Sequence, residues 1–184
     1  PVDTIGPRLR LKDSYDRIFE KDIPGVVDSV ESKVFGIGAE AYTVGSHEFY
    51  MCYAMSRDDV IVTFDTGHFH PTEMVSAKLS SMLAFKDKLL LHVSRPVRWD
   101  SDHVVAFDDE TRTIMEELVR LDALGRVYIA TDYFDASINR VVAWVVGARN
   151  TRKALLEALL QPTCTMKALE AAGDNSARLA YTQE

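Results

Sequence analysis

The amino-acid sequence predicts an α/β fold built from four consecutive βα units. Short apolar runs that are typical of buried parallel strands alternate with longer segments of helical periodicity. The strand-like runs follow one another at similar intervals, and no low-complexity linker divides the chain, so we treat residues 1–184 as one domain. Four such units are half of a (β/α)₈ barrel or a small open sheet, and periodicity alone does not choose between them.

The predicted strands are short runs rich in aliphatic and aromatic residues, and each is followed by a candidate helix. In chain order the strands are Val27–Ile37, Val60–Phe64, Leu89–Val93 and Arg126–Ala130. The helices are His47–Arg57, Thr72–Phe85, Glu110–Leu121 and Ile138–Leu160.

Two helix starts have local signals. Pro71 precedes the second helix, near a position where the missing N–H of proline leaves no hydrogen bond unmade. Acids open the third helix at Asp108, Asp109 and Glu110, where the positive end of the helix dipole favours them. We therefore interpret this acidic run as a helix cap and not as a binding site.

The composition is that of an acidic globular protein. Hydrophobic residues make up 47% of the chain and charged residues 27%, and the formal net charge is −7. A negative protein repels phosphate backbones, so a nucleic-acid partner is disfavoured.

The cysteines and the apolar runs indicate a cytoplasmic protein. Cys52 and Cys164 form no C-x-x-C pair, which argues against a zinc knuckle or a disulfide framework and favours a reducing compartment. Apolar stretches such as Val141–Val146 are far shorter than the roughly 20 residues of a membrane span, and no signal region opens the chain.

Each predicted strand contains, or is closely followed by, a residue that can bind a divalent metal ion. Desolvating a carboxylate beside a buried strand costs on the order of several kcal/mol unless it is paired or bound to a metal. A single residue of this kind is ordinarily explained as a paired polar group. The recurrence of such residues at all four strands favours a shared metal site. The residues are Glu31, Asp65, His92 and Asp132.

A second candidate ligand set lies close by in the sequence. His68 follows the second strand, and Asp100 and Asp102 are two apart in an extended loop, so their side chains point the same way. This nitrogen and oxygen set suits Mn²⁺, Mg²⁺, Co²⁺ or Zn²⁺, although a solvated loop explains the two aspartates equally well. His70 is interpreted as a helix-start residue. Two neighbouring metal sites are thus predicted.

Lys33 lies two residues after Glu31 and would share its face of the strand. A lysine beside a metal site can stabilise a developing alkoxide, but a surface lysine paired with Glu31 is an equal alternative. The stretch 36–41 matches the loose dinucleotide pattern G-x-G-x-x-A. We reject that match because the preceding strand is charged and Val44–Ser46 resembles a loop where a helix is needed.

Five strings in the chain are long enough to be specific to a family. They are residues 30–40 (VESKVFGIGAE), 45–50 (GSHEFY), 65–71 (DTGHFHP), 89–103 (LLLHVSRPVRWDSDH) and 134–140 (FDASINR). Together they resemble the L-rhamnose isomerase family over nearly the whole sequence.

The resemblance implies the C-terminal half of a (β/α)₈ barrel, with the N-terminal strands and a short C-terminal tail missing. It also implies two divalent ions, commonly Mn²⁺, a homotetramer, and conversion of the sugar L-rhamnose to L-rhamnulose by a metal-assisted 1,2-hydride shift. Lys33 would contact the terminal oxygen of the substrate. Glu31, Asp65, His92 and Asp132 would hold a structural ion, and His68, Asp100 and Asp102 a catalytic ion.

Two alternatives remain beside this interpretation. One is a catalytically inactive fragment that keeps the ligands. The other is a different divalent-metal enzyme on a similar barrel, such as a phosphodiester-cleaving nuclease, which the acidic balance disfavours.

Overall fold

Four strands form one parallel sheet in the computed structural model, which describes residues 1–32, 42–70, 72–97 and 102–183. The strands are β1 (Asp28–Glu31), β2 (Val60–Asp65), β3 (Leu89–Val93) and β4 (Val127–Thr131). They pair in chain order, and the register places Asp65 of β2 opposite His92 of β3. The α/β fold of four βα units is confirmed, and it is consistent with part of a (β/α)₈ barrel.

Helices follow each strand and also lie at both ends of the described chain. They are α1 (Gly6–Ile18), α2 (His47–Met55), α3 (Ser76–Leu83), α4 (Asp109–Arg120), α5 (Arg140–Leu160), α6 (Thr163–Ala171) and α7 (Asn175–Gln183). Helices α2 to α5 correspond to the predicted ones. The sequence analysis did not predict α1, α6 or α7.

The second predicted helix corresponds to α3, and its predicted start at Thr72 is wrong, since α3 begins at Ser76. The reason is a tertiary contact. The backbone N–H and hydroxyl of Ser76 donate to the carboxylate of Glu110, on α4, at 3.0 Å each. An acidic group there satisfies the open amides of the helix start and complements its dipole. By contrast, α4 has the predicted local cap, because the Asp108 side chain accepts from the Thr111 N–H at 3.0 Å.

The hydrophobic core joins the sheet to the helices that follow its strands. All six residues of β2 are buried, and α3 and α4 bury their apolar faces beside it. Burying one Leu or Phe side chain contributes roughly 1.5–3 kcal/mol, so this core gives the strand ends a rigid support. Its largest fully buried side chains include Phe64, Leu79, Met82, Leu89, Leu91 and Ile114.

Within the described residues, no helix combines the length and apolar character needed to cross a membrane.

Candidate metal centre

The carboxyl ends of the four strands bring the first predicted ligand set together. Glu31 and Asp65 are the last residues of β1 and β2, His92 is the last but one of β3, and Asp132 directly follows β4. One ligand atom from each of these residues lies within 4.8 Å of the others. Parallel strands end at the same edge of a sheet, which is why residues so distant in sequence meet.

A second group consists of Asp65, His68 and Asp102, whose ligand atoms also lie within 4.8 Å of one another. His68 turns back over the end of β2, since its N–H donates to the Asp65 carbonyl at 3.2 Å. Asp102 is positioned by its own backbone, because its carbonyl accepts from the Phe134 N–H, after β4, at 3.0 Å. Asp65 therefore belongs to both groups, which the sequence analysis did not foresee.

Two other predicted site residues, Lys33 and Asp100, lie outside the described residues, and their roles stay predictions. His70 is in neither group of the described part of the chain. It lies in the turn before α3, where its Nδ1 accepts from the Thr72 N–H at 3.2 Å.

The Asp65 carboxylate is buried and asymmetric in its contacts. Its Oδ1 accepts from the Gly67 N–H and from the Ser94 hydroxyl, each at 2.7 Å. Its Oδ2 is also buried but makes no hydrogen bond of standard geometry with any described residue. This oxygen lies 3.7 Å from His92 Nδ1 and 3.8 Å from His68 Nε2, between the two groups. An orphaned buried oxygen in that place is the feature a cation would satisfy.

Burial raises the pKa of Asp65 to about 7, against the lowering effects of His68, Ser94 and Gly67. Asp65 thus takes up a proton easily when no cation compensates its charge. A bound cation would stabilise the ionised form instead.

His92 and Glu31 form a charge-assisted pair at the centre of the first group. His92 Nδ1 lies 3.0 Å from Glu31 Oε1, and the hydrogen bond to Glu31 raises the pKa of His92. Burial acts to raise the pKa of Glu31, but the bond and charge of His92 outweigh it and hold that pKa below its ordinary value. Asp132 Oδ2 lies 3.5 Å from the same nitrogen. The Nδ1 atom therefore faces three carboxylates, and its proton occupies the place a cation would take.

His68 is oriented by a backbone contact. Its Nδ1 lies 3.1 Å from the Ser32 carbonyl oxygen, which can only accept, so Nδ1 carries a proton. That bond leaves Nε2 facing Asp102 Oδ1 at 3.3 Å. A histidine that donates one ring N–H to a carbonyl and presents the other nitrogen is the usual arrangement of a metal ligand.

The donor set fits divalent metal ions. Four carboxylates and two imidazoles meet within a small volume, and the carboxylates repel one another unless protons or cations intervene. Oxygen and nitrogen donors without thiolates suit Mn²⁺, Zn²⁺, Co²⁺ or Mg²⁺. Both cysteines, Cys52 and Cys164, are free and exposed.

Sequence reasoning missed the residues that hold these ligands, Ser94 and Ser32 above all. The available signal was position, since Ser94 directly follows β3 and Ser32 directly follows β1. A serine at a strand end has many ordinary uses, so only its contacts reveal the role.

Four parallel strands, with acids and histidines at their carboxyl ends that could hold a metal ion, are consistent with part of an α/β protein of the barrel type. A sequence profile of the L-rhamnose isomerase (RhaA) family matches residues 1–184. L-rhamnose isomerases of Escherichia coli O17:K52:H18 (strain UMN026 / ExPEC) and Shigella sonnei (strain Ss046) are each 57% identical to it over 185 residues. The chain belongs to the L-rhamnose isomerase family. It is covered completely in these comparisons and spans 44% of the length of either relative.

Proposed function

We propose that this chain carries the metal centre of an aldose–ketose isomerase that interconverts L-rhamnose and L-rhamnulose. The observation that supports it best is the pair of ligand groups joined by Asp65, in a chain of the L-rhamnose isomerase family. The relatives are named for this activity, and this chain contains six clustered residues with the chemistry it requires.

The proposed reaction is an internal exchange of hydrogen. A hydride moves from C2 to C1 of the open-chain aldose while the O2 proton is transferred to O1, which gives the ketose without any external oxidant or reductant. Two divalent cations, proposed to be Mn²⁺ with Zn²⁺, Co²⁺ and Mg²⁺ as alternatives, would supply Lewis-acid polarisation of the sugar oxygens when bound.

The residues of the two groups would hold two different ions. Glu31, Asp65, His92 and Asp132 would hold the first, structural ion. His68 and Asp102, with Asp65 and the predicted Asp100, would hold the second, catalytic ion. Lys33 would contact the terminal oxygen of the sugar.

The setting proposed for the whole protein is a homo-oligomer in the cytoplasm, without nucleic-acid or membrane partners. The net charge of −7 supports the absence of a nucleic-acid partner, and the free cysteines support a reducing compartment. Homo-oligomerisation follows the expectation for the family.

The experiment that tests this function uses a hybrid protein in which residues 1–184 replace the matching segment of the E. coli relative. The two segments are 57% identical, so we expect the hybrid to fold. We expect the hybrid to isomerise L-rhamnose when Mn²⁺ is supplied and to lose that activity in chelator. The 184-residue chain alone, assayed beside it, should have little or no activity.

The outcome separates the alternatives. A folded hybrid that binds Mn²⁺ but leaves L-rhamnose unchanged would contradict the proposed isomerase and favour another divalent-metal enzyme. A folded hybrid without metal or activity would indicate a fragment that has lost the function. The unmodified E. coli enzyme is the positive control.

A further inference from the structure

The Asp65 carboxylate is held by one side chain that no part of the proposed mechanism uses. The Ser94 hydroxyl donates to Oδ1 at 2.7 Å, and the Gly67 N–H donates to the same oxygen. Ser94 is only 3% exposed, so water does not compete for this bond. The other oxygen, Oδ2, is left to face His68 and His92.

Ser94 is itself fixed by a reciprocal contact with Thr66, the residue after Asp65. The Thr66 hydroxyl accepts from the Ser94 N–H at 2.7 Å and donates to the Ser94 carbonyl at 2.6 Å. Thr66 is buried as well, and its own N–H donates to the His92 carbonyl at 3.0 Å. The carboxyl ends of β2 and β3 are thereby tied together directly next to Asp65.

We infer that Ser94 is a positioning residue that sets the rotation of the Asp65 carboxylate, so that Oδ2 faces both ligand groups at once. Without the hydroxyl, the Gly67 N–H is the one remaining donor to Oδ1 among the described residues, and the carboxylate turns more easily. One bond would thereby control both ions, since Asp65 is common to both groups. The inference rests on the proposed function, because it takes Asp65 to be a metal ligand.

The test measures Mn²⁺ binding by electron paramagnetic resonance (EPR) in the 184-residue chain and in the hybrid protein. Removing a hydrogen-bond partner of a metal ligand typically weakens metal affinity about 10- to 100-fold, and we expect Ser94→Ala to fall in this range. The EPR line shape of the bound Mn²⁺ should also change, because the ligand geometry changes. Ser94→Cys replaces the hydroxyl by a somewhat larger thiol that is still a weak donor, and should weaken binding less.

Ser76→Ala is the matched control. Ser76 is buried to a similar degree, and its hydroxyl also donates to a carboxylate, that of Glu110, but it belongs to neither ligand group of the described residues. This variant should lose comparable thermal stability while keeping Mn²⁺ affinity and line shape.

Unchanged affinity and line shape in both Ser94 variants would overturn the inference, as would equal weakening in Ser76→Ala. A hybrid that binds Mn²⁺ yet leaves L-rhamnose unchanged would contradict the proposed function alone, because the Ser94 comparison stays measurable. A folded hybrid that binds no Mn²⁺ would overturn both.

Discussion

At the scale of single residues, Asp65 determines how the two ligand groups depend on each other. Its side chain is fully buried, and it contributes a ligand atom to each group. The other members belong to one group only, and Asp132 and Asp102 retain 55% and 30% side-chain exposure. Substituting Asp65 should therefore affect metal binding by both groups, whereas substituting any other member should affect binding by one group only.

Metal stoichiometry measures this difference. Asp65→Asn should remove both bound Mn²⁺ ions from the hybrid protein, since an amide oxygen is a weaker ligand and the change affects both groups. Asp102→Asn should remove one ion and abolish turnover, because only the second group loses a carboxylate. Elemental analysis of the dialysed proteins gives the counts. Two ions retained in Asp65→Asn would contradict the assignment of Asp65 to both groups. Asp108→Asn is the control, because Asp108 belongs to neither group of the described residues.

The affinity for Mn²⁺ should fall as the pH is lowered from 8 to 6. The pKa of Asp65 is raised to about 7 by burial, and that of His92 is raised by its hydrogen bond to Glu31. Both groups therefore hold protons more readily as the pH is lowered, and a cation must displace these protons, so binding releases them. For the metal-free protein, a raised pKa of Asp65 means stability that is present at low pH and lost as the pH rises through about 7.

Calorimetric titration in two buffers of different ionisation enthalpy measures the protons released. A dissociation constant that does not change between pH 6 and 8 would contradict this assignment. Mn²⁺ should also raise the melting temperature more at pH 8 than at pH 6, because the ionised Asp65 then has a compensating charge.

The sequence predicted which residues cluster better than it predicted their arrangement. Glu31, Asp65, His92 and Asp132 were recognisable because acids and a histidine recur at strands, where burial makes them costly. The sharing of Asp65 was not recognisable, since it depends on how His68 turns back and on which carboxylate oxygen Ser94 holds. Such features arise from contacts between β2 and β3, which are 29 residues apart at Asp65 and Ser94.

At the scale of elements, β2, β3 and β4 were predicted to within one residue at each end. β1 is shorter than the predicted Val27–Ile37, since it ends at Glu31, and residues 33–37 lie outside the described chain. β3 was predicted to the residue because its run, apolar except for His92, lies between the polar residues Lys88 and Ser94. By contrast, α3 begins at Ser76 through a contact with Glu110 that no local pattern reveals.

The sequence did not predict which face of helix α5 is buried. That face is made of small residues while large apolar side chains are exposed, so the composition of the helix does not predict its orientation. The buried residues are Ala143, Gly147, Thr151, Ala154 and Ala158.

Gly147 allows α5 to pack against Tyr133, which follows Asp132. A Cβ at position 147 would lie 2.2 Å from the Tyr133 hydroxyl, which donates to the Trp144 carbonyl. Alanine normally stabilises a helix interior by about 1 kcal/mol relative to glycine. We expect Gly147→Ala to destabilise the protein nonetheless, by about 1–2 kcal/mol, because Tyr133 must move and lose its hydrogen bond.

A double-mutant cycle tests this reason. In a Tyr133→Ala background, Gly147→Ala should become neutral or stabilising, as measured by urea unfolding. The same destabilisation in both backgrounds would show that the contact with Tyr133 is not its cause. Because Tyr133 adjoins Asp132, the single variant should also weaken binding of the first ion.

At the scale of the whole molecule, the sheet has two unpaired edges. Within the described residues, β1 and β4 each pair with one strand only, and Val127 is the one buried residue of β4. Exposed side chains of α5 include Val141, Trp144 and Val145. A closed barrel pairs every strand edge, whereas these four strands leave two edges open. The relatives contain more than twice this length, so additional elements are available there to cover such surfaces.

The 184-residue chain produced alone should therefore self-associate through its sheet edges, since unpaired strands recruit other strands. Light scattering after size exclusion should give a mass above the 20.7 kDa of one chain, with little isomerase activity. Tyr128→Glu places a charge on the edge strand β4 and should reduce the association. Trp144→Glu adds the same charge on α5, so a larger effect there would identify the helix face as the contact. A stable monomer that isomerises L-rhamnose as fast as a full-length relative would show that the remaining length is dispensable.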